Sequence, residues 1–244
     1  MIQKILITKT GKEFFVRDLN QDFHTEFGFI KKSDLKKSNT KIKTNKGQEM
    51  YILEPSFVDS FKKIKRGPQI ITPKDIGTII TETGINKESI ILDAGGGSGS
   101  LSCFLANLVK KVYCYEIRKD FIKIIKENIN LLNLKNITIK NKDVSKNITE
   151  KNLDLITLDL PEPWYVIPQA EKSLKPGAFL VAYLPTITQV TEFVEQIKKS
   201  KKLFYIKTLE NIQRNWIVNQ KIVRPESQMI GHTGFIIIIR KVIK

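Results

Sequence analysis

Ile90-Ile91-Leu92-Asp93-Ala94-Gly95-Gly96-Gly97-Ser98-Gly99-Ser100-Leu101 is the stretch that decides the fold. Ser89–Ala94 is apolar almost throughout, without alternation, as in a strand buried on both faces of a parallel sheet. The glycines at 95, 96, 97 and 99 then make a turn in which positive φ costs little and a ligand can lie against bare backbone. A helix beginning near Ser100 adds unpaired N–H groups to the same place. Strand, glycine turn and helix in that order predict the nucleoside-binding unit of a doubly wound α/β domain.

The rhythm continues outward. Lys111–Glu116, Ile137–Lys140, Leu153–Leu160, Ala178–Leu184, Leu203–Glu210 and Phe235–Lys241 read as strands. Lys119–Leu132, Val166–Leu174 and Thr188–Lys198 read as helices between them, which implies a mostly parallel sheet covered on both faces. Pro73–Thr83 is a further helix, with Thr72 as N-cap and Pro73 at its first position. The first fifty residues differ: short strands at Ile2–Thr8, Glu13–Val16, Glu26–Ile30, Lys41–Thr44 and Glu49–Leu53 are separated by turn signals. They suit a small all-β module of barrel or sandwich type, followed by a helix over Ser56–Lys65 capped by Ser56. The break at Gly67-Pro68 places the division between residues 1–66 and 67–244.

At 244 residues with 41% hydrophobic content, the chain can bury a core of that size. No uninterrupted apolar stretch approaches about 18 residues, and Met1–Arg17 lacks the layout of a signal segment, so a cytoplasmic protein without membrane contact is expected. Cys103 and Cys114 lie in apolar contexts and read as buried thiols. With two distant histidines they do not offer zinc-site spacing, so no metal is expected. Lys and Arg number 41 against 25 Asp and Glu, a net charge of +16. Compositional drift toward Lys is one reading. A polyanionic partner is the other, favoured because each phosphate contact releases counterions.

Two acids choose the ligand of the turn. Asp93, two positions before the first glycine, sits badly beside a pyrophosphate and well beside the cationic end of a sulfonium. Glu116 closes the next strand, where a carboxylate can grip ribose hydroxyls. A dinucleotide fingerprint read from Gly95 would need glycine at Ser100. The whole pattern resembles the first motif of class I methyltransferases, with S-adenosyl-L-methionine as cofactor. That resemblance implies contacts from Asp93, Gly95, Gly96, Gly97, Ser98, Gly99, Ser100, Leu101 and Glu116, with Asp143 and Val144 at the adenine and with Gln69 and Asp159 bordering the site.

Asp154-Leu155-Ile156-Thr157-Leu158-Asp159-Leu160-Pro161-Glu162-Pro163-Trp164 speaks to the substrate. Asp159 ends a strand at the carboxyl edge of the sheet, and Pro161 and Pro163 stiffen the loop behind it. A carboxylate held beside the flat face of Trp164 suits a flipped-out base, although Trp164 alone reads more often as core. The run resembles the Asp-Leu-Pro-x-Pro-Trp segment of the tRNA (adenine-58, N1) methyltransferase family. Gln69-Ile70-Ile71-Thr72-Pro73-Lys74-Asp75, Arg224-Pro225 and Gly231-His232-Thr233-Gly234 resemble further segments of it. The resemblance implies a homotetramer acting on tRNA, with Asp159 catalytic and with Pro161, Trp164, Arg214, Arg224 and His232 on the substrate side. Departures are Thr72 for the family's aromatic, Pro68 for Thr, Asp93 for Glu and Gly96 for Thr. His232 by itself reads more readily as a satisfied hydrogen-bonder than as a catalyst. Two rivals stand beside this reading: a methyltransferase for a small molecule or protein, and a non-catalytic tRNA-binding subunit.

Overall fold

The central strands of the second half are apolar because both their faces are covered. Leu92, Ala94, Ile156, Leu158, Leu180, Ala182 and Ile237 share one continuous core with Val190, Phe193 and Ile197 of a covering helix. The computed structural model describes residues 2–67, 70–219 and 221–243. The chain divides into two compact units, Met1–Ile64 with Asn128–Asn133, and Lys65–Glu127 with Leu134–Lys244.

In the first unit, β1 (Lys4–Thr8), β2 (Glu13–Val16), β5 (Thr40–Lys43) and β6 (Glu49–Leu53) pair antiparallel in the order β2-β1-β6-β5. With β2 and β5 as its ends, the sheet is open where a barrel would close. Between β2 and β5 the chain forms a hairpin of β3 (Phe23–Thr25) and β4 (Gly28–Ile30), then a one-turn helix, α1 (Lys32–Leu35). The strand expected over Glu26–Ile30 begins only at Gly28: Glu26 and Phe27 form a turn, and Phe23–Thr25 before them is the partner strand. Gly28, at φ 105°, opens β4 directly after that turn, and Thr25 Oγ1 donates to the Gly28 carbonyl across it. Leu6, Val16, Ile30, Leu35, Ile42, Met50 and Ile52 form the core of this unit. The helix after it, α2 (Phe57–Phe61), is shorter than expected, but Ser56 and Asp59 close a reciprocal capping box at its start.

The second unit opens with α3 (Pro73–Thr83), which ends on the left-handed Gly84. There follow β7 (Ile90–Ala94), α4 (Ser100–Ala106), β8 (Lys111–Tyr115), α5 (Lys119–Leu131), β9 (Ile137–Lys140) and β10 (Leu153–Leu158). A 3₁₀ turn at Pro163–Val166 leads into α6 (Ile167–Ser173), β11 (Leu174–Leu184), α7 (Ile187–Lys198) and β12 (Leu203–Glu210). A hairpin of β13 (Trp216–Asn219) and β14 (Ile222–Pro225), unexpected from a segment that reads as polar loop, precedes β15 (Phe235–Lys241). Seven strands make one sheet in the order β12-β15-β11-β10-β7-β8-β9. β15 runs antiparallel to both of its neighbours and the other pairings are parallel, so the doubly wound, mostly parallel sheet is as the sequence leads one to expect. The chain runs from β7 outward to β9, then returns to β10 on the other side of β7. That reversal opens a crevice at the carboxyl ends of β7 and β10, where ligands of open α/β sheets bind.

Among the described residues no helix is long and apolar enough to cross a membrane, and no group of three or more His, Cys, Asp or Glu is placed to hold a metal.

Candidate active site

The crevice is built on bare backbone. Gly95, at φ 85°, packs so closely on the end of β10 that a Cβ there would stand 2.0 Å from the Asp159 carbonyl oxygen. A Cβ on Gly96 would stand 2.4 Å from Cys114 Sγ. The Gly95 and Gly96 amides both donate to the Tyr115 carbonyl, and the Asp159 amide donates to Ala94, which locks turn, β8 and β10 together. Both cysteines are buried, and burial pushes the Cys103 thiol up to about 12 and the Cys114 thiol well above its usual value. Cys114 thus serves as a floor under the turn.

Asp93 lies beneath this turn, 2% exposed. Ser102 donates to one of its oxygens and Thr157 Oγ1 to the other at 2.7 Å. Burial raises its pKa, against the pull of those hydroxyls. Glu116 accepts from the Gly97 amide and from the Arg118 amide, each at 2.8 Å, one on each oxygen. Each oxygen keeps a second lone pair, which a ribose hydroxyl can use. Asp143 is held below the usual carboxylate range chiefly by the Ser145 hydroxyl, which donates to it at 2.7 Å. The Val144 side chain is buried in the core, which leaves its backbone for any ligand.

Ile70, Ile71, Asp93, Gly95, Gly96, Gly97, Ser98, Ser100, Leu101 and Asp159 line a hollow of about 30 Å³ over the turn. Gln69, expected here, lies outside the described residues, as does Pro68. Two observations suit this place to a ligand that lies against bare backbone. Glycines are needed where side chains would collide, and Ser100 Oγ is buried without a hydrogen-bond partner among the described residues. A hollow of that size holds little more than a water.

Asp159 follows the last residue of β10, and its carboxylate, exposed on the crevice, accepts no hydrogen bond from a described residue. The protein around it, and then the Asp93 charge, push its pKa up to about 7. Water in the open crevice moderates that rise, and the upward direction stands. Pro161 is exposed, with its carbonyl held by Gln189 Nε2 at 3.0 Å. Trp164 packs against the main core, and the neighbouring Tyr165, 60% exposed, is the open aromatic of this turn.

A second cleft of about 910 Å³ is lined by Thr72, Pro73 and Lys74 on one side and by Gln213, Asn215, Glu226–Ile230 and Thr233 on the other. The strip 70–74 therefore has the hollow at one end and the cleft at the other. Arg214 and Arg224 are exposed, and Arg224 donates to the Pro225 carbonyl and to Ser227. Both ring nitrogens of His232 face acceptors, Glu210 Oε1 at 2.6 Å and the Pro185 carbonyl at 2.8 Å, an arrangement that favours the doubly protonated ring. The Glu210 hydrogen bond raises its pKa. Sequence reading passed over Ser102 and Thr157, which hold Asp93, and over Asp75 as more than a helix-start acid. The signal for Asp75 was available: it is the third residue of α3 yet lies on its buried face.

Residues 50–232 match the family described as the GCD14 subunit of the tRNA methyltransferase complex. The tRNA (adenine(57)-N(1)/adenine(58)-N(1))-methyltransferase TrmI of Methanocaldococcus jannaschii is 34% identical over 97% of this chain and 94% of its own. This chain belongs to the TrmI family of class I methyltransferases. The Thermus thermophilus TrmI is 32% identical over 82% of this chain and 80% of its own. Among solved structures, the Aquifex aeolicus TrmI superposes with a TM-score of 0.80 at 27% identity, over 99% of this chain and 97% of that one. A Thermotoga maritima protein described as an O-methyltransferase superposes at 0.85 with 32% identity, over 100% of this chain and 94% of that one.

Proposed function

We propose that this chain transfers a methyl group from S-adenosyl-L-methionine to N1 of adenine in the T-loop of tRNA, at position 58, with the adjacent adenine 57 as a second target. The observation that carries the reading is Asp159: an exposed carboxylate without a donor among the described residues, fixed by its own amide to the strand that leads into the glycine turn. S-adenosyl-L-methionine supplies an activated methyl on a cationic sulfur. Asp93 places negative charge beneath that cation, Glu116 holds the ribose, and Asp143 receives the cofactor's adenine amine. Asp159 accepts a hydrogen bond from the exocyclic amine of the target base, stabilises the positive charge that develops on methylation, and can take the proton shed there. Adenine N1 is a neutral lone pair and needs no prior deprotonation, so alignment supplies much of the rate.

The homotetramer implied by the family is part of this proposal. The hairpin leaves Trp216, Val218, Ile222 and Val223 exposed, and edge strand β12 leaves Phe204, Tyr205 and Ile206 exposed, the kind of apolar surface that second copies cover. We also take Arg214, Arg224 and His232 to stand on the substrate side of the crevice. The test is transfer of tritium from labelled S-adenosyl-L-methionine to bulk tRNA, with the modified nucleotide mapped. Label at N1 of adenine 57 or 58 is expected. Label on protein, on a small hydroxylated acceptor, or on nothing would replace this reading by one of its rivals.

A further inference from the structure

Asp75 is a carboxylate fully removed from solvent, 0% exposed, three residues into α3. Lys74 Nζ donates to both of its oxygens, at 2.9 and 3.0 Å. Asn211 Nδ2 donates to one oxygen at 3.0 Å; Thr72 Oγ1 and Thr233 Oγ1 donate to the other at 2.9 Å, and Tyr183 at 3.2 Å. The same ammonium also donates to the Asn211 carbonyl and, at 2.6 Å, to Thr233 Oγ1. Burial alone would raise the Asp75 pKa, yet these donors hold it below the usual carboxylate range. So many bonds converge on one buried ion pair that the purpose is placement, since a helix needs only one of them for its first turn.

What the pair joins is informative. Thr72 and Lys74 belong to the strip whose preceding residues, Ile70 and Ile71, line the cofactor hollow. Asn211 and Thr233 are the two ends of the segment that carries the β13–β14 hairpin and borders the large cleft. Tyr183, hydrogen-bonded to Asp75, also feels the Asp159 charge. We propose that the Lys74–Asp75 pair is a positioning knot that ties the strip bordering the cofactor hollow to both ends of the hairpin segment, so that the two surfaces hold or shift together. Cofactor affinity then depends on residues at the hairpin base, although neither Asn211 nor Thr233 lines the cofactor hollow.

This inference rests on the cofactor reading given above, and calorimetry of the full-length protein with S-adenosyl-L-methionine separates the two. If the native protein binds no cofactor, that reading itself fails. If it binds, Thr233→Val, which keeps the shape and removes the hydroxyl, is expected to raise Kd fivefold or more, while Thr233→Ser, which keeps the hydroxyl, restores the native value. A merely structural loss would lower the active fraction and leave the Kd of the folded molecules unchanged. Asn211→Ala cuts the other tie and is expected to raise Kd likewise, which keeps the test decisive where Thr233→Val does not fold. Native-like Kd, within twofold, in a folded Thr233→Val or Asn211→Ala protein overturns the knot and leaves the cofactor reading standing.

Discussion

At the scale of single residues, Asp93, Glu116 and Asp143 each accept hydrogen bonds, whereas the Asp159 carboxylate accepts none from a described residue. If the substrate's exocyclic amine is its donor, as proposed, Asp159→Ala should cut single-turnover methyl transfer by about 10²–10³-fold, the scale of losing one preorganised charge-stabilising group. Its raised pKa adds a signature. The base must be ionised to accept from the amine, so kcat/KM should rise with pH along a limb that lies above the ordinary carboxylate range, and Asp159→Asn should abolish that limb along with the rate. Rates of Asp159→Ala within threefold of native would remove it from the mechanism. Glu116 binds by spare lone pairs, since each oxygen already takes a backbone amide. Glu116→Ala should weaken cofactor binding by about 1.5–3 kcal/mol, the range for hydrogen bonds to charged groups, and an unchanged calorimetric Kd would refute the ribose contact. His232 follows the opposite sign from a carboxylate. Its folded pKa is raised by Glu210, with Lys74 opposing, so its contribution is complete below the unfolded value near 6.5 and is lost as pH climbs through the folded one. The melting temperature should therefore lose an increment as pH rises through that range, and His232→Gln should remove the increment.

At the scale of elements, the glycine turn is the least forgiving part. Gly95→Ala combines a positive φ with a Cβ aimed at backbone, not at a yielding side chain. Overpacking of this kind costs about 1–3 kcal/mol, so a lowered melting temperature and lost cofactor binding are expected together. A native-like melting temperature with native affinity would contradict the close approach of turn and β10. This turn was legible in advance because its residues announce themselves: apolar run, glycines, acid at the next strand end. The helix at Pro73–Thr83 was legible to the residue, because proline and glycine mark its two ends. The β13–β14 hairpin was not. Its strands, Trp216–Asn219 and Ile222–Pro225, are short and largely exposed, so burial leaves no period in the sequence to read. The β3–β4 fold-back is hard to read because its turn, Glu26-Phe27, holds no glycine, proline or asparagine, and the positive-φ Gly28 follows as the first residue of β4. Trp164 illustrates a third limit: composition cannot tell which of two adjacent aromatics faces the core, and it is Tyr165 that faces out.

At the scale of the whole molecule, the excess of 16 positive charges sets the energetics of any encounter with RNA. Within the basic run after α2, Lys65 pairs with Glu127 at 2.5 Å and Lys63 lies 4.0 Å over the Phe15 ring. Lys62 and Arg66 are exposed and remain the better candidates for phosphate. The affinity for tRNA should therefore fall steeply with salt, and Lys62→Ala or Arg66→Ala should each flatten the log–log slope by about one. A flat salt profile for the native protein would assign the charge to composition alone. One last feature bears on how the molecule can be taken apart. Asn128–Asn133, from the end of α5 and the turn after it, groups with the first unit although some sixty residues of the second intervene. A cut at residue 66 consequently yields two incomplete pieces. The N-terminal fragment lacks a segment of its own unit, and the C-terminal fragment carries that segment as an orphan, so the halves should be better behaved when co-expressed than alone.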